Sequence, residues 1–270
     1  MKPELSVIIV NYNGLNYLKE CLESLTKMLS GIVFEIIVID NDSKDESCKY
    51  IKQHFPEVKL IESKINHGFG KGNNQAAKQA LGDYLLLINN DTIVLDNLKP
   101  VLDSLKFDKT IGVVGINMLD ASKEYIPAAG NFPNFRNMFQ FKKLLDLGIE
   151  FKRGNFSKEQ YEVGWLAGSF LLMPADTYNK IKGFDEDYFM YVEDVDFCKK
   201  IADTGLKRIF MPNFSYIHFV GFNTNKNPML VKGYKIYLRK HFSGFQKIVI
   251  SLILQLNALV KNIKLALKTN

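Results

Sequence analysis

Short β-branched apolar runs alternate with helical periodicity over the first hundred or so residues, and that alternation predicts a parallel α/β sheet. Residues 6–10 (SVIIV) read as a first strand, after which Leu18, Cys21, Leu22, Leu25, Met28 and Leu29 recur at the spacing of one helix face. Residues 35–40 (EIIVID) form the second strand. Ser43-Lys44-Asp45-Glu46 has the pattern of a capping box and predicts a helix that ends before Pro56. Residues 58–61 make a third strand, and a glycine- and asparagine-rich turn at 66–74 leads into an alanine-rich helix predicted to stop at Gly82. Residues 84–88 are nearly all apolar, which predicts a central strand covered on both faces; it ends in Asn89-Asn90-Asp91.

A helix near 98–105 and a strand at 111–117 follow. Between about 120 and 160 the pattern degrades into Pro, Asn and aromatic residues, as expected of an irregular segment lying over a site. Regularity returns at 163–173, with a helix from Pro174, an acidic cluster at 185–196, a helix ending at Gly205 and one or two strands through His218.

The chain has 270 residues, 47% hydrophobic and 24% charged, enough to bury a large core. Cys21, Cys48 and Cys198 are odd in number and far apart, so neither a disulfide framework nor a cysteine zinc site is indicated. The N-terminus enters a strand with no signal-peptide pattern, and no apolar stretch is long enough to span a bilayer; both fit a cytoplasmic setting. The net charge of +6 is unevenly spread. Residues 1–203 hold all 29 acidic side chains and 24 of the 35 basic ones, a net of −5, and the 67 residues beyond carry eleven Lys or Arg and no acid. An acidic body with a basic tail is not the footprint of a nucleic-acid binder.

Polar residues fall just past the ends of three strands: Asn11-Tyr12-Asn13, then Asp40 and Asp42, then Asp91. In an open parallel sheet that edge is where ligands bind, although each residue alone is also ordinary turn chemistry. The Gly68-Gly70-Gly72 run lacks dinucleotide-fingerprint spacing, yet free N–H groups at a helix start suit a nucleotide or its phosphates; a plain turn is the alternative. Asp91, at the tip of a buried strand, could hold Mg²⁺ or Mn²⁺ or cap a following helix. Glu193, Asp194 and Asp196 crowd three carboxylates into four positions, which makes one a candidate general base with a raised pKa; acids at a helix start are also favoured by the helix dipole. His218 and Trp165, the only tryptophan, read equally as packed core.

In order and spacing, SVIIVNYNG, VIDNDSKDES, NHGFGKGNN, LLLINNDT, GWLAGSFLLM and GFDEDYFMYVEDVDFC resemble the family 2 glycosyltransferases, nearest their rhamnosyltransferase-like branch, over residues 4–222. The resemblance implies a GT-A fold, an α/β Rossmann-like, mostly parallel sheet flanked by helices. Residues 1–118 would bind the nucleotide-sugar, 119–222 would hold the acceptor and the catalytic groups, and 223–270 would form a basic, helical, amphipathic tail. It further implies that Asn11, Tyr12, Asn13, Asp40, Asp42, Asn66, Gly68, Gly70, Asn74 and Asn90 line the donor site. Asp91, last acid of a motif whose first acid is here Asn89, would bind Mg²⁺ or Mn²⁺ with His218. Asp194 would be the general base with Glu193 orienting the acceptor, while Trp165 and Gly168 shape the acceptor pocket.

The implied reaction inverts a sugar as it moves from a dTDP- or UDP-sugar, with rhamnose the branch's example, to a hydroxyl of a saccharide or lipid-linked acceptor, as in cell-envelope polysaccharide synthesis. A nucleotidyltransferase would want basic groups near its first loop, and Asn11 to Gly14 has none. A glycoside hydrolase needs two opposed carboxylates and no nucleotide pocket. A silent sugar-nucleotide binder or scaffold of a polysaccharide assembly complex would not need both Asp91 and Asp194. The tail's Lys residues and apolar stripe fit a helix on the anionic inner face of a membrane, with docking on the body or pairing in a homodimer as the alternative.

Overall fold

A computed structural model describes residues 2–134, 137–138, 141–219 and 226–266, without the side chains of 141, 142, 226, 227 and 257–266. The residues 220–225, which include the expected junction with the tail, lie outside the described residues.

The apolar runs become β1 (Leu5–Asn11), β2 (Phe34–Asn41), β3 (Lys59–Ser63) and β4 (Tyr84–Asn89), joined by α1 (Leu15–Met28), α2 (Ser47–His54) and α3 (Phe69–Ala77). They lie parallel in the order β3-β2-β1-β4. Next come β5 (Thr92–Val94), α4 (Lys99–Phe107), β6 (Ile111–Leu119), β7 (Tyr125–Ile126) and β8 (Ala129–Gly130). A 3-10 turn, Phe141–Leu145, and α5 (Ile149–Arg153) interrupt the segment expected to be irregular. Then follow β9 (Tyr161–Glu162), β10 (Trp165–Leu166), β11 (Phe170–Pro174), α6 (Ala175–Lys180), α7 (Glu193–Asp203), β12 (Lys207–His218), α8 (Lys226–His241) and α9 (Gly244–Ala266).

One sheet carries both halves of the chain, in the order β3-β2-β1-β4-β11-β6-β12-β5, with β7 on β6 and β9 on β12. Its first half is parallel as expected and its second is mixed, because β11 enters antiparallel to both β4 and β6. Alternation along β1 sends Val7 and Ile9 to a core shared with Leu18, Leu22 and Leu25 of α1 and with α4, and Ile8 to the opposite core with Ala76, Tyr178, Phe184 and Phe197. β4 is central and buried through Leu85–Ile88 because both cores need it.

Three local expectations change. The Ser43–Glu46 capping box does not start α2: Glu46 is the N-cap without a side-chain cap bond, and Asp45 Oδ1 accepts from the Ser47 N–H at 3.1 Å. Ser43 is free for other partners. α3 ends at Ala77 rather than at Gly82, and Gly82 is small because a Cβ there would press on the backbone of Leu5 and Ser6. The tail is two helices, and α8 docks on the body: Tyr234, Tyr237, Leu238 and, from α9, Ile250, Ile253 and Leu254 share a third core with Tyr188, Val192 and Val195. Arg239 and Lys240 pair with Asp187, and Lys240 also with Asp185. Docking on the body, one of the alternatives for the tail, therefore describes α8. On α9, Phe245, Ile248, Leu252 and Leu256 remain exposed at helical spacing. Among the described residues no helix is long and apolar enough to cross a membrane.

Candidate active site

The parallel register sets Asn11, Asp40 and Asn89 on neighbouring strand ends. Asn11 is fully buried and ties the edge together: its Nδ2 donates to Asp40 Oδ2 at 2.7 Å and to Ser43 Oγ at 3.2 Å, and its Oδ1 accepts from Asn90 Nδ2 at 2.7 Å. Asp40 Oδ1 accepts from the Ser43 N–H, and Ser43 Oγ also accepts from the Asn13 N–H. The hydroxyl that sequence assigned to a helix cap thus braces two strand-end loops. Asn13 and Asp42 both take positive φ, 52° and 68°, as Asn and Asp do more readily than most residues. Tyr12 is exposed beside them, and Asp42 pairs with Lys44. Gly14 was not singled out by sequence. A Cβ there would overlap Asn90 Nδ2 and Asn11 Oδ1, so the Asn11–Asn90 pair requires a glycine.

The glycine run does something other than offer a set of free N–H groups. The Gly68 N–H is taken by Asn66 Oδ1 at 2.9 Å and the Phe69 N–H by the carbonyl of Phe189 at 3.0 Å. Gly68 has φ 77°, and a Cβ would strike the Phe189 carbonyl; one at Gly70 would crowd Phe184. These glycines let α3 lie against the loop that leads to α7. Asn74 clamps that same contact. Its amide gives both hydrogens, to the Phe184 carbonyl and Glu186, and its oxygen accepts from Tyr178 and the Phe184 N–H.

Asp91 caps no helix, because β5 begins at the next residue. β5 pairs antiparallel with β12, with Thr92 opposite His218, and the Phe219 N–H donates to the Asp91 carbonyl. This carries His218 Nε2 to 3.2 Å from Asp91 Oδ1, a carboxylate only 5% exposed. The Asn89 amide lies 3.3 Å from the same Nε2, and Nδ1 faces Met118 sulfur. One carboxylate oxygen and one imidazole nitrogen at that separation match two adjacent ligands of an octahedral ion with bonds of ~2.1 Å, which would stand about 3 Å apart. The pair could supply two ligands to a divalent cation, and among the described residues no third His, Cys, Asp or Glu joins them.

Glu193 and Asp194 open α7 and Asp196 follows, but the three carboxylates diverge. Asp194 is partly exposed; its Oδ2 accepts from the Gly168 N–H at 3.1 Å and its Oδ1 from the Val195 N–H. Burial raises its pKa, with the backbone N–H groups of Gly168, Val195 and Asp194 itself opposing. Glu193 is 6% exposed, its Oε2 has no hydrogen-bond partner, and burial followed by the charge of Asp194 pushes its pKa up to about 8. Asp196 points to the tail, where Oδ1 meets His241 Nε2 at 2.7 Å and the Tyr188 hydroxyl at 3.3 Å. The two residues before Glu193, Tyr191 and Val192, hold φ of 68° and 75°, a costly conformation for a β-branched side chain. The third core and the clamp at Asn74 hold that turn in place.

Gly168 lies between α3 and α7, where a Cβ would crowd the Phe69 ring, and the next residue, Ser169, accepts the Asn89 N–H through its carbonyl. Trp165 is partly buried, and its indole N–H donates to the Asn131 carbonyl, so only its ring remains to face a ligand.

Residues 6–157 match the family model described as Glycosyl transferase family 2. The chain belongs to glycosyltransferase family 2. It is similar to the rhamnosyltransferase WbbL of Escherichia coli, 29% identical over 261 residues that cover 87% of this chain and 90% of the relative. It is also similar to an N-acetylglucosaminyl-diphospho-decaprenol L-rhamnosyltransferase of Mycobacterium tuberculosis, 24% identical over 84% of this chain and 80% of the relative. Among solved structures, GalNAc-T7 with UDP, GalNAc and Mn²⁺ superposes with a TM-score of 0.64 at 21% identity, over 87% of this chain and 47% of that one. The fold is GT-A, as the sequence motifs implied, and the protein is a glycosyltransferase of the rhamnosyltransferase-like group.

Proposed function

We propose that this glycosyltransferase inverts the sugar it transfers, depends on a divalent cation, and moves a deoxyhexose such as rhamnose from a nucleoside diphosphate to a lipid-linked saccharide. The observation that carries the mechanism is the Asp194 carboxylate, held in place by the Gly168 N–H and kept basic by burial. Each carboxylate oxygen accepts one backbone hydrogen bond and keeps a lone pair for an incoming hydroxyl. As the acceptor oxygen bonds to the sugar C1, its proton passes to Asp194, and the bond from C1 to the phosphate oxygen breaks on the opposite face. The nucleoside diphosphate leaves with that electron pair.

Asp91 and His218 would hold Mg²⁺ or Mn²⁺, which when bound offsets the negative charge growing on the diphosphate. Asn11, Asp40, Asn13 and Asn90 form the wall for the nucleoside, with Asp40 a hydrogen-bond acceptor for a pyrimidine N–H. Tyr12 and Asp42 stand exposed at the mouth, and Asn66, Gly68 and Gly70 border it. Glu193, protonated near neutral pH, orients the acceptor. The lipid-linked acceptor is the class named for the mycobacterial relative. Membrane contact is supported by the exposed stripe on α9 and by the absence of acidic residues after Asp203.

The test is a screen of sugar nucleotides with Mn²⁺ by thermal shift, followed by transfer assays with the best donor. A stabilising dTDP- or UDP-sugar and an anomerically inverted product support the reading; retention of configuration, or turnover unaffected by chelation, refutes it. For the membrane contact, flotation with anionic vesicles should be lost on deleting residues 245–270.

A further inference from the structure

A cavity of about 120 Å³ lies where α8 passes the turn that leads into α7, lined by Phe189, Met190, Met229, Gly233 and Ile236 with Lys232 and Tyr188. Its walls are apolar and its two polar groups differ in state. The Tyr188 hydroxyl is spent on Asp196, whereas exposed Lys232 makes no ion pair or hydrogen bond with any described residue. Arg239 and Lys240, further along the same helix, are paired with aspartates, and neither lines the cavity. An apolar hollow with one uncommitted cation fits a ligand that joins an alkyl chain to a phosphate, and suits neither a free sugar nor a purely apolar group.

The cavity also adjoins the chemistry. Phe189, one of its walls, accepts the Phe69 N–H through its carbonyl and meets Gly68, and Gly233 packs on the Tyr191 carbonyl and Val192, immediately before Glu193. Tyr234, the next residue along α8, is buried in the core that also holds Val192 and Val195, on either side of Glu193 and Asp194. We infer that this cavity receives the start of the prenyl chain of a prenyl-diphosphate-linked acceptor, with Lys232 pairing with the diphosphate while the attached sugar reaches Asp194. The inference rests on the lipid-linked acceptor proposed above. Its volume, near the ~150 Å³ that accommodates benzene, admits roughly one isoprene unit, so a longer chain continues out towards the bilayer.

Farnesyl diphosphate, farnesol and inorganic diphosphate, titrated into the full chain without divalent cation, read the site directly. Farnesyl diphosphate should bind more tightly than either fragment. Lys232→Glu should weaken it by about tenfold and Lys232→Arg should retain it. Met229→Gln should weaken farnesyl diphosphate and leave inorganic diphosphate unchanged. Equal binding of inorganic and farnesyl diphosphate, an unaltered Kd in Lys232→Glu, or displacement of farnesyl diphosphate by the donor's nucleoside diphosphate with Mn²⁺ would each overturn the inference. Transfer assays then separate it from the reading beneath it. If prenyl-linked saccharides are accepted and Lys232→Glu lowers kcat/KM for them no more than for a phenyl glycoside, the cavity assignment falls alone. If wild type uses only lipid-free saccharides, both fall.

Discussion

The Gly168 N–H donates to Asp194 Oδ2 at 3.1 Å, and in the next residue the Ser169 carbonyl accepts the Asn89 N–H at 3.2 Å. Two consecutive residues therefore hold the candidate base in register with β4, the strand that leads to Asp91. A carboxylate so placed has one direction left open on each oxygen, and its position relative to Asp91 and His218 is set by backbone rather than by flexible side chains.

Asp194→Asn keeps the shape and the bond to Gly168 but cannot take a proton. The turnover number should fall ~10²- to 10⁴-fold with donor affinity unchanged. Single-turnover transfer alongside donor titration checks this, and near wild-type turnover would remove Asp194 from the role.

Asp91→Ala and His218→Ala test the proposed metal ligands. Each should raise the Mn²⁺ concentration needed for half-maximal activity, and Asp91→Ala should lower kcat/KM at saturating metal by ~10²-fold or more, since the charge on the leaving diphosphate loses its counterpart. Activity measured against Mn²⁺ in chelator-buffered solution reads both effects.

Glu193 keeps its proton to about pH 8 in the folded chain, through burial and then the charge of Asp194, against about 4.5 unfolded. The folded chain binds the extra proton between those values. This group therefore favours folding below pH 4.5, and its contribution declines as pH rises and is gone by about 8. Glu193→Gln should remove that slope, so the difference in melting temperature between variant and wild type grows in the variant's favour from acid to alkaline pH. A constant difference would show that Glu193 does not titrate there.

Asn74→Ala leaves the Phe184 N–H and the Tyr178 hydroxyl without their acceptor. It should cost ~1–3 kcal/mol of stability by denaturant titration and leave donor affinity as it was. Gly14→Ala should do the reverse in emphasis, since its Cβ forces apart Asn11 and Asn90: donor affinity should fall well before the fold is lost.

The parallel half and its strand-end residues were legible because β-branched runs, helix periodicity and polar strand termini are local signals, and Asn11, Asp40 and Asp91 stand on the edge where those signals put them. The motif order gave the family and the fold, which the family match and the superposition bear out. The contacts of Ser43, Asn74 and Gly68 were hidden for one physical reason. Each meets a partner far away in the chain: Asn11 for Ser43, Phe184 for Asn74 and Phe189 for Gly68. The antiparallel entry of β11 was hidden likewise, since nothing in the 163–173 run announces the turn at Gly168 that splits it.

The contact between His241 and Asp196 spans 45 residues, and that between Phe69 and Phe189 spans 120. During synthesis, the edge built by Asn11, Asp40 and Asn90 can assemble from the first ninety residues, whereas the strained turn at Tyr191 and Val192 gains its backing only after α8 has been made. The residues proposed to hold the donor thus have their mutual contacts within the first ninety residues, whereas the turn before the proposed base depends on a helix made more than a hundred residues later.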